Sequence, residues 1–407
     1  MVERKEYLDK LISWKDEKMI KVITGMRRCG KSTLLNMYQD KLKKLGIKEK
    51  QIISINFEKL EYEELLDYSK LYNYITERLC VNEMTYVFLD EIQKVDGFEK
   101  VVDSLYVRDN VDIYITGSNA YLLSSDLATL LSGRYIEISM LPLSFDEFMS
   151  LQTTSDKEEV FEKYLRYGSL PYIATLKDVQ TKADEYLESI YDTIVVKDIE
   201  ERQNRRLINS NSRKVTDIAL LKNISKFLAS SIGNPISIKS IADYITSNNR
   251  KVSQNTISDY VTALVEPFIF YPVERFDVQG KQLLKTNRKL YIVDLGLRRH
   301  LGPKTNYDLG FSIENIVYLE LLRRNYRVYV GKVGNTEVDF VCEKNGRFEY
   351  FQVSASIMEQ NTFNREITPL KNIHDNHSKT ILTLDKLGLG NYDGINIVNL
   401  LDWLLNK

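Results

Sequence analysis

Cysteine is scarce in this chain of 407 residues: Cys29, Cys80 and Cys342 stand far apart, with no CxxC pair. That excludes a disulfide framework and a thiolate zinc site, and it points to a reducing compartment. An excess of either charge is also lacking, since 56 Lys and Arg face 57 Asp and Glu for a formal net charge of −1. A polybasic or polyacidic chain is thereby excluded, whereas a local basic patch is not. No apolar run approaches the ~18 residues of a membrane span. The charged opening, MVERKEYLDKLISWKDEK, has no apolar h-region of a signal peptide. The expectation is a soluble, cytoplasmic protein with no membrane partner. Its length exceeds one ordinary core and predicts two to four domains.

What the chain does have is concentrated first at residues 20–35, IKVITGMRRCGKSTLL. A β-branched run (Ile20, Val22, Ile23, Thr24) predicts a buried parallel strand. After it, Leu34, Leu35, Tyr38 and Leu42 recur on one helical face. Between strand and helix lie Gly25, Met26, Arg27, Arg28, Cys29, Gly30, Lys31 and Ser32, followed by Thr33, a full G-x-x-x-x-G-K-[ST] pattern. The two glycines let the backbone curl so that successive N–H groups point inward, and the helix adds its positive end. In such a cradle Lys31 reaches the β- and γ-phosphates of ATP, and the Ser32 hydroxyl ligates Mg²⁺.

Residues 85–92, TYVFLDEI, predict an apolar strand that ends in two carboxylates. Asp90 would lie beside Ser32 and hold Mg²⁺ directly or through water. Glu91 points differently and would polarise the attacking water. A further strand at 111–116 closes on Gly117, Ser118 and Asn119. Two readings of Ser118 and Asn119 stand side by side: contact with the γ-phosphate or lytic water, and helix N-capping. Arg134, just before a fifth strand at 135–139, is either a surface arginine or a finger that reaches the phosphates of a neighbouring subunit.

The stretches GMRRCGKST, YVFLDEIQKV, IYITGSNAYLL and LLSGRY, followed by LPLSFDEF, resemble the AAA+ ATPases of a prokaryotic group with a C-terminal nuclease-like domain. The resemblance covers essentially the whole chain. It implies a parallel α/β sheet of order 5-1-4-3-2, with Lys31, Ser32, Asp90 and Glu91 in the standard roles and a sensor at Ser118 or Asn119. It also implies a domain order: the P-loop ATPase domain over 1–150, a helical lid over 151–208, a winged helix-turn-helix over 209–300 and a restriction-endonuclease-like α/β domain over 301–407.

The later segments give these expectations residues. Gly168-Ser169-Leu170-Pro171 is similar to a GGxP break in the lid of the group, with Arg166 and Arg202 as possible phosphate sensors. The arginines Arg202, Arg205, Arg206 and Arg213 read as a linker or a phosphate-contacting strip, the linker being favoured because charge runs usually face water. Three helices over 217–265 and a hairpin over 269–293 match a winged helix. Gln254, Asn255, Thr256 and Ser258 would face bases. Arg250, Lys251, Lys281, Lys285, Arg288 and Lys289 would meet DNA phosphates. The helix itself carries Asp259 and no Lys or Arg, and winged helices also serve as protein-packing modules.

In the last segment, Glu314 on a helix and Asp339 on a strand resemble the PD-(D/E)xK pattern, which would make a second metal site. Gln352-Val353-Ser354 stands where the ExK triplet belongs, so a fold retained for binding is favoured over cleavage. Lys332 or Lys344 would have to supply the missing lysine. The expected activity is Mg²⁺-dependent ATP hydrolysis that drives a conformational change coupled to DNA or a protein, in a homo-oligomer if Arg134 acts in trans. The alternatives are a nucleotide-gated DNA-binding switch with little turnover and an ATP-gated nuclease.

Overall fold

The computed structural model describes residues 2–118, 133–194, 199, 217–247, 252–302 and 308–406, excepting the side chains of 285–287. Asn119, Arg202, Arg205, Arg206, Arg213, Arg250, Lys251 and the Lys285 side chain lie outside the described residues. Two compact units result, one of residues up to Pro142 with Glu266–Phe268, the other of Leu143–Val265 with Ile269–Lys407. Among the described residues no helix is long and apolar enough to cross a membrane.

The first unit is built on five parallel strands: β1 (Ile20–Thr24), β2 (Ile52–Asn56), β3 (Thr85–Asp90), β4 (Val111–Gly117) and β5 (Tyr135–Ser139). Their order is 2-3-4-1-5, which is the expected 5-1-4-3-2 read from the opposite edge. Strand alternation divides the core into two layers. Val87 and Leu89 of β3 pack with Leu71, Ile75, Phe98 and Val101 on one face. Tyr86 and Phe88 turn to the other, where Leu8, Leu11, Leu34, Leu35, Tyr38 and Leu42 cover them. Phe88 stacks on Tyr114 with ring centroids 4.8 Å apart. The first helix spans Lys5–Ser13, after which the chain turns at Trp14 and enters a left-handed conformation at Asp16 (φ 63°).

Lys21, on β1, is fully buried and donates to Asp112 Oδ1 at 2.5 Å and to the Glu17 carbonyl at 2.8 Å. Burial pushes the Asp112 carboxyl up, and the Lys21 ammonium opposes that without cancelling it. The pair ties β1 to β4, two of the strands whose other ends lead to the candidate site.

The second unit begins eight residues earlier than the expected lid boundary, because Phe145 packs edge-on against Phe161 and Tyr164 of the Lys157–Tyr167 helix. Helices Val179–Asp192, Ile218–Ser230, Ile238–Ser247 and Gln254–Val265 follow. Gly168, in the GSLP break, adopts φ 87°, and a Cβ there would lie 2.2 Å from an Asp294 oxygen. The buried Asp294 carboxylate accepts from the Ser169 N–H at 2.5 Å, the Ser169 hydroxyl at 3.0 Å and the Leu297 N–H at 3.1 Å. The break therefore joins the expected lid to the segment after the hairpin, and the glycine is needed for that close approach.

Nine strands make one mixed sheet: β6 (Pro235–Ile236), β7 (Phe270–Asp277), β8 (Gln282–Ile292), β9 (Arg327–Val333), β10 (Thr336–Lys344), β11 (Arg347–Ser354), β12 (Ser378–Thr383), β13 (Gly390–Tyr392) and β14 (Ile395–Asn399). Its order is 13-14-12-11-10-9-7-8-6. The β7–β8 hairpin follows three helices, as expected of a winged helix, yet β7 also pairs in parallel with β9 from Arg275 to Asp277. Strands assigned on either side of residue 300 therefore share one sheet. The Leu309–Arg323 helix, buried nearly all round, lies against it. Asn315 locks the helix to β8, donating to the Ile292 carbonyl and accepting from its N–H, both at 2.8 Å.

Candidate ATPase site and C-terminal carboxylate cluster

The chain leaves β1 at Gly25, where φ is 146° and a Cβ would meet the Met140 carbonyl oxygen at 2.2 Å. It re-enters helix at Lys31–Lys44, with Gly30 at the N-cap offering no capping side chain. The N-cap residue thus gives the first N–H groups of this helix no side-chain acceptor, and a helix N-terminus is suited to an anion. Lys31 is buried, and its ammonium donates to the Gly25 and Met26 carbonyls at 3.0 and 3.2 Å. It stands 3.8 Å from Glu91 Oε1. Cys29 turns its side chain into the core, and its carbonyl accepts from Arg4 at 3.1 Å. Arg27 pairs with Glu58 at 3.0 Å, Arg28 is exposed, and Ser32 and Thr33 are half-buried on the first helical turn.

The two carboxylates sit together at the end of β3. Asp90 accepts from Thr116 Oγ1 at 2.5 Å and Asn56 Nδ2 at 2.7 Å, and the Ser32 hydroxyl also bonds it. Burial pushes the Asp90 carboxyl up despite those bonds. Glu91 takes a left-handed conformation (φ 56°), a strain of ~1–3 kcal/mol in general. Its N–H is held by Thr116 Oγ1 at 2.9 Å. Its carboxylate accepts from Gln93 at 2.5 Å and from Ser118 Oγ at 3.1 Å. Burial works to raise the Glu91 carboxyl, but the Lys31 charge with the Gln93 and Ser118 bonds outweighs it and holds it below the usual range.

Lys31, Ser32, Asp90, Glu91 and Ser118 are thus brought to one place. Thr116, Asn56 and Gln93 also belong there and were not anticipated. Register gave the signal for one of them: Asn56 ends β2 directly opposite Asp90. Arg134 is not brought to this place. Its carbonyl accepts from Ile20 at the start of β1, while the cradle follows the end of that strand. At ~3.3 Å per residue, a five-residue strand separates them by roughly 16 Å. The Arg134 guanidinium pairs with Asp103 and lies 5.4 Å from the Tyr106 ring centre.

Residues 17–149 match the AAA domain family, and residues 158–308 match a family described only as a domain of unknown function. The chain is 40% identical to an uncharacterized protein of Haemophilus influenzae over 410 aligned positions, covering 100% of this chain and 99% of that one. An uncharacterized protein of Methanocaldococcus jannaschii is 30% identical over 84% of this chain and 76% of its own length. The chain belongs to the family of these proteins and carries an AAA-type P-loop ATPase domain. Among solved structures, the Walker-type ATPase of Pyrococcus abyssi is similar at 16% identity, with a TM-score of 0.47 over 74% of this chain and 96% of that one.

The parts of the AAA domain fit the Mg²⁺-ATP that its family implies. The open helix N-terminus and Lys31 suit the phosphates, and the Ser32–Asp90 pair suits a Mg²⁺ that takes its other ligands from phosphate and water.

The second candidate metal site does not fit in the same way. Glu314, buried on the Leu309–Arg323 helix, accepts from Lys289 Nζ at 3.1 Å and from the Tyr291 hydroxyl at 2.5 Å. Lys289 also pairs with Glu337 at 2.7 Å. Asp339 accepts from the Val353 N–H at 2.8 Å, and its own N–H donates to Gln352 Oε1 at 3.3 Å. Gln352 spends its amide on Glu366 at 2.7 Å, and Ser354 bonds the Ser356 carbonyl at 3.0 Å. Burial, then the Glu314 charge, pushes the Asp339 carboxyl well up. Burial disfavours the Lys289 ammonium, yet Glu314, Asp339 and Glu337 outweigh it and raise its pKa.

The lysine at Glu314 is therefore neither Lys332 nor Lys344. Lys344 donates to the Arg324 carbonyl at 2.8 Å, and Lys332 lies opposite Glu337 in the β9–β10 ladder. Lys289, expected to meet DNA phosphates, is buried inside the cluster because its strand belongs to the C-terminal sheet. Of the other hairpin cations, Lys281 is exposed at the turn and Arg288 pairs with Glu274 at 3.1 Å. Arg166 lies over the Tyr167 ring at 5.4 Å.

Proposed function

We propose that the AAA domain binds Mg²⁺-ATP and hydrolyses it slowly until a second copy of the chain completes the site. The observation that carries this reading is the convergence of Lys31, Ser32, Asp90 and Glu91 at the uncapped start of one helix. Lys31 would exchange its carbonyl partners for phosphate oxygens. Ser32 and Asp90 would hold Mg²⁺, which would supply positive charge to offset the charge that develops on the phosphates. Glu91, ionised and aimed by Gln93 and Ser118, would accept the proton of the attacking water. The loop residues Gly25, Arg27, Arg28, Cys29, Gly30 and Thr33 would shape the cradle, chiefly through their main chain.

Arg134 lies too far from its own cradle to act in cis, so its service as a finger requires a homo-oligomer. Nucleotide state would pass to the second unit and to a DNA or protein partner. The exposed Gln254 and Asn255 start the helix that would read bases. Steady-state ATP turnover over a protein concentration series, with and without mixed DNA, tests this reading. Turnover per subunit that rises with concentration and with DNA is expected. Flat, DNA-independent turnover contradicts the assembly and coupling.

A second reading, a nucleotide-gated switch with little turnover, is favoured by one feature: Glu91 is bonded by both Gln93 and Ser118 before any water is engaged. ATP binding with no turnover in any condition would decide for it.

A further inference from the structure

The fold around Glu314 and Asp339 resembles one that holds a divalent cation, and the residues present disagree with that use. Three carboxylates converge from two elements: Glu314 from the helix, Glu337 and Asp339 from alternate positions of β10. Glu314 is buried and Glu337 and Asp339 are half-buried, and ionised carboxylates so placed call for a compensating cation. The chain supplies one. Lys289 reaches in from β8 and meets Glu314 at 3.1 Å and Glu337 at 2.7 Å, with 4% of its side chain exposed. Arg275 of β7 lies 3.8 Å from Glu337 on the hairpin side.

Further hydrogen bonds also fall on these acids. Tyr291, two residues along β8, donates to the same Glu314 oxygen that Lys289 meets. The Val353 N–H occupies Asp339 Oδ2, and Gln352, at the position of the pattern's second acid, is turned between the Asp339 N–H and Glu366. Among the described residues no group of His, Cys, Asp and Glu is arranged to hold a metal ion.

We propose that the Lys289 ammonium is the resident cation of this cluster, standing where a divalent ion would stand, and that it fastens the hairpin into the C-terminal sheet. The unit is then a completed ionic clamp, independent of metal, and its sheet serves for holding rather than for cleaving nucleic acid. The ammonium is tethered to β8, which Asn315 locks to the helix, so it stays close to the carboxylates at high effective concentration and a free divalent ion must compete with it.

The test uses the full chain without nucleotide, titrated with Mn²⁺ and read by the electron paramagnetic resonance of the free ion. The background variant Asp90→Asn removes any contribution of the ATPase site. In that background no Mn²⁺ site sensitive to Asp339→Asn is expected. Lys289→Gln, which keeps a hydrogen-bond donor but not the charge, should gain a site more than about tenfold tighter than anything in its parent, since a like charge beside the ion is gone. Adding Asp339→Asn should remove that gain. A Mn²⁺ site in the parent that Asp339→Asn abolishes would overturn the proposal. So would a folded Lys289→Gln protein that gains none. Should Lys289→Gln not fold, Lys289→Arg, which keeps the charge, must fold and bind no Mn²⁺ at this place; binding there counts against the proposal.

Discussion

Lys31 and Lys289 both stand beside buried carboxylates, and their surroundings differ. Lys31 leaves a glycine turn at the mouth of a helix, stands 3.8 Å from Glu91, and spends its protons on two main-chain carbonyls. Lys289 leaves the middle of a strand, meets two carboxylates at 3.1 and 2.7 Å, and is fenced by Tyr291 and Arg275. The first set of hydrogen bonds goes to neutral carbonyls, whose place a phosphate oxygen can take as acceptor. The second goes to carboxylates, so removing the lysine strands charge in a low-dielectric interior. Proximity of a cation to carboxylates is therefore not by itself a site; what matters is whether the cation can leave.

The largest effect that can break this comparison is on turnover. Glu91→Gln should lower ATP turnover by ~10²–10⁴-fold while nucleotide binding persists, which a filter-binding assay beside a phosphate-release assay would resolve. Equal losses of binding and turnover would assign Glu91 to the cradle instead. Next in size is stability. Lys289→Met should cost ~3–5 kcal/mol by urea denaturation, because Glu314 and Glu337 are left without their cation. Lys31→Met should cost less, ~1.5–3 kcal/mol, the range for hydrogen bonds from a charged donor, with Glu91 3.8 Å away losing its neighbouring cation. Similar costs for the two lysines would erase the distinction drawn between them.

A smaller effect lies in pH. The Glu91 carboxyl is held below its usual range, so it stays ionised and competent as a base down to below the usual glutamate value of ~4.3. The acid limb of kcat/KM should fall in that region, and Ser118→Ala, which removes one bond to the ionised form, should move the limb upward. The same sign holds for stability: the contribution of Glu91 is present above its unfolded value and is lost as pH falls through the folded one. A limb that moves downward in Ser118→Ala would contradict the assigned role of that bond. The smallest effect is expected at Arg134, whose half-exposed pair with Asp103 is worth ~0–1 kcal/mol, so Arg134→Ala should leave the melting temperature nearly unchanged. If it also leaves the concentration dependence of turnover unchanged, the finger in trans is wrong.

Much of the first unit was legible in the sequence because its chemistry is local. The cradle lies in eight consecutive residues, and Asp90 and Glu91 follow one apolar run, so strand, turn and helix could be read from spacing alone. Thr116, Asn56 and Gln93 were not legible, since only sheet register and the left-handed turn at Glu91 bring them in. In the second unit Glu314, Asp339 and Gln352 come near one another as their order along helix and strands implied. Their cation was misplaced because β7 pairs with β9 across more than fifty residues of chain, and that parallel pairing carries β8 and Lys289 to the helix. No local pattern announces a contact of that kind. The same pairing turned an expected DNA-facing lysine into a buried one.

The central claim is that the Lys31 cluster hydrolyses ATP. Its most direct test is phosphate release from Mg²⁺-ATP by the purified chain, set beside Lys31→Ala prepared identically. Turnover in the parent that disappears in Lys31→Ala is the predicted result. Turnover that survives Lys31→Ala unchanged would contradict the account at its base.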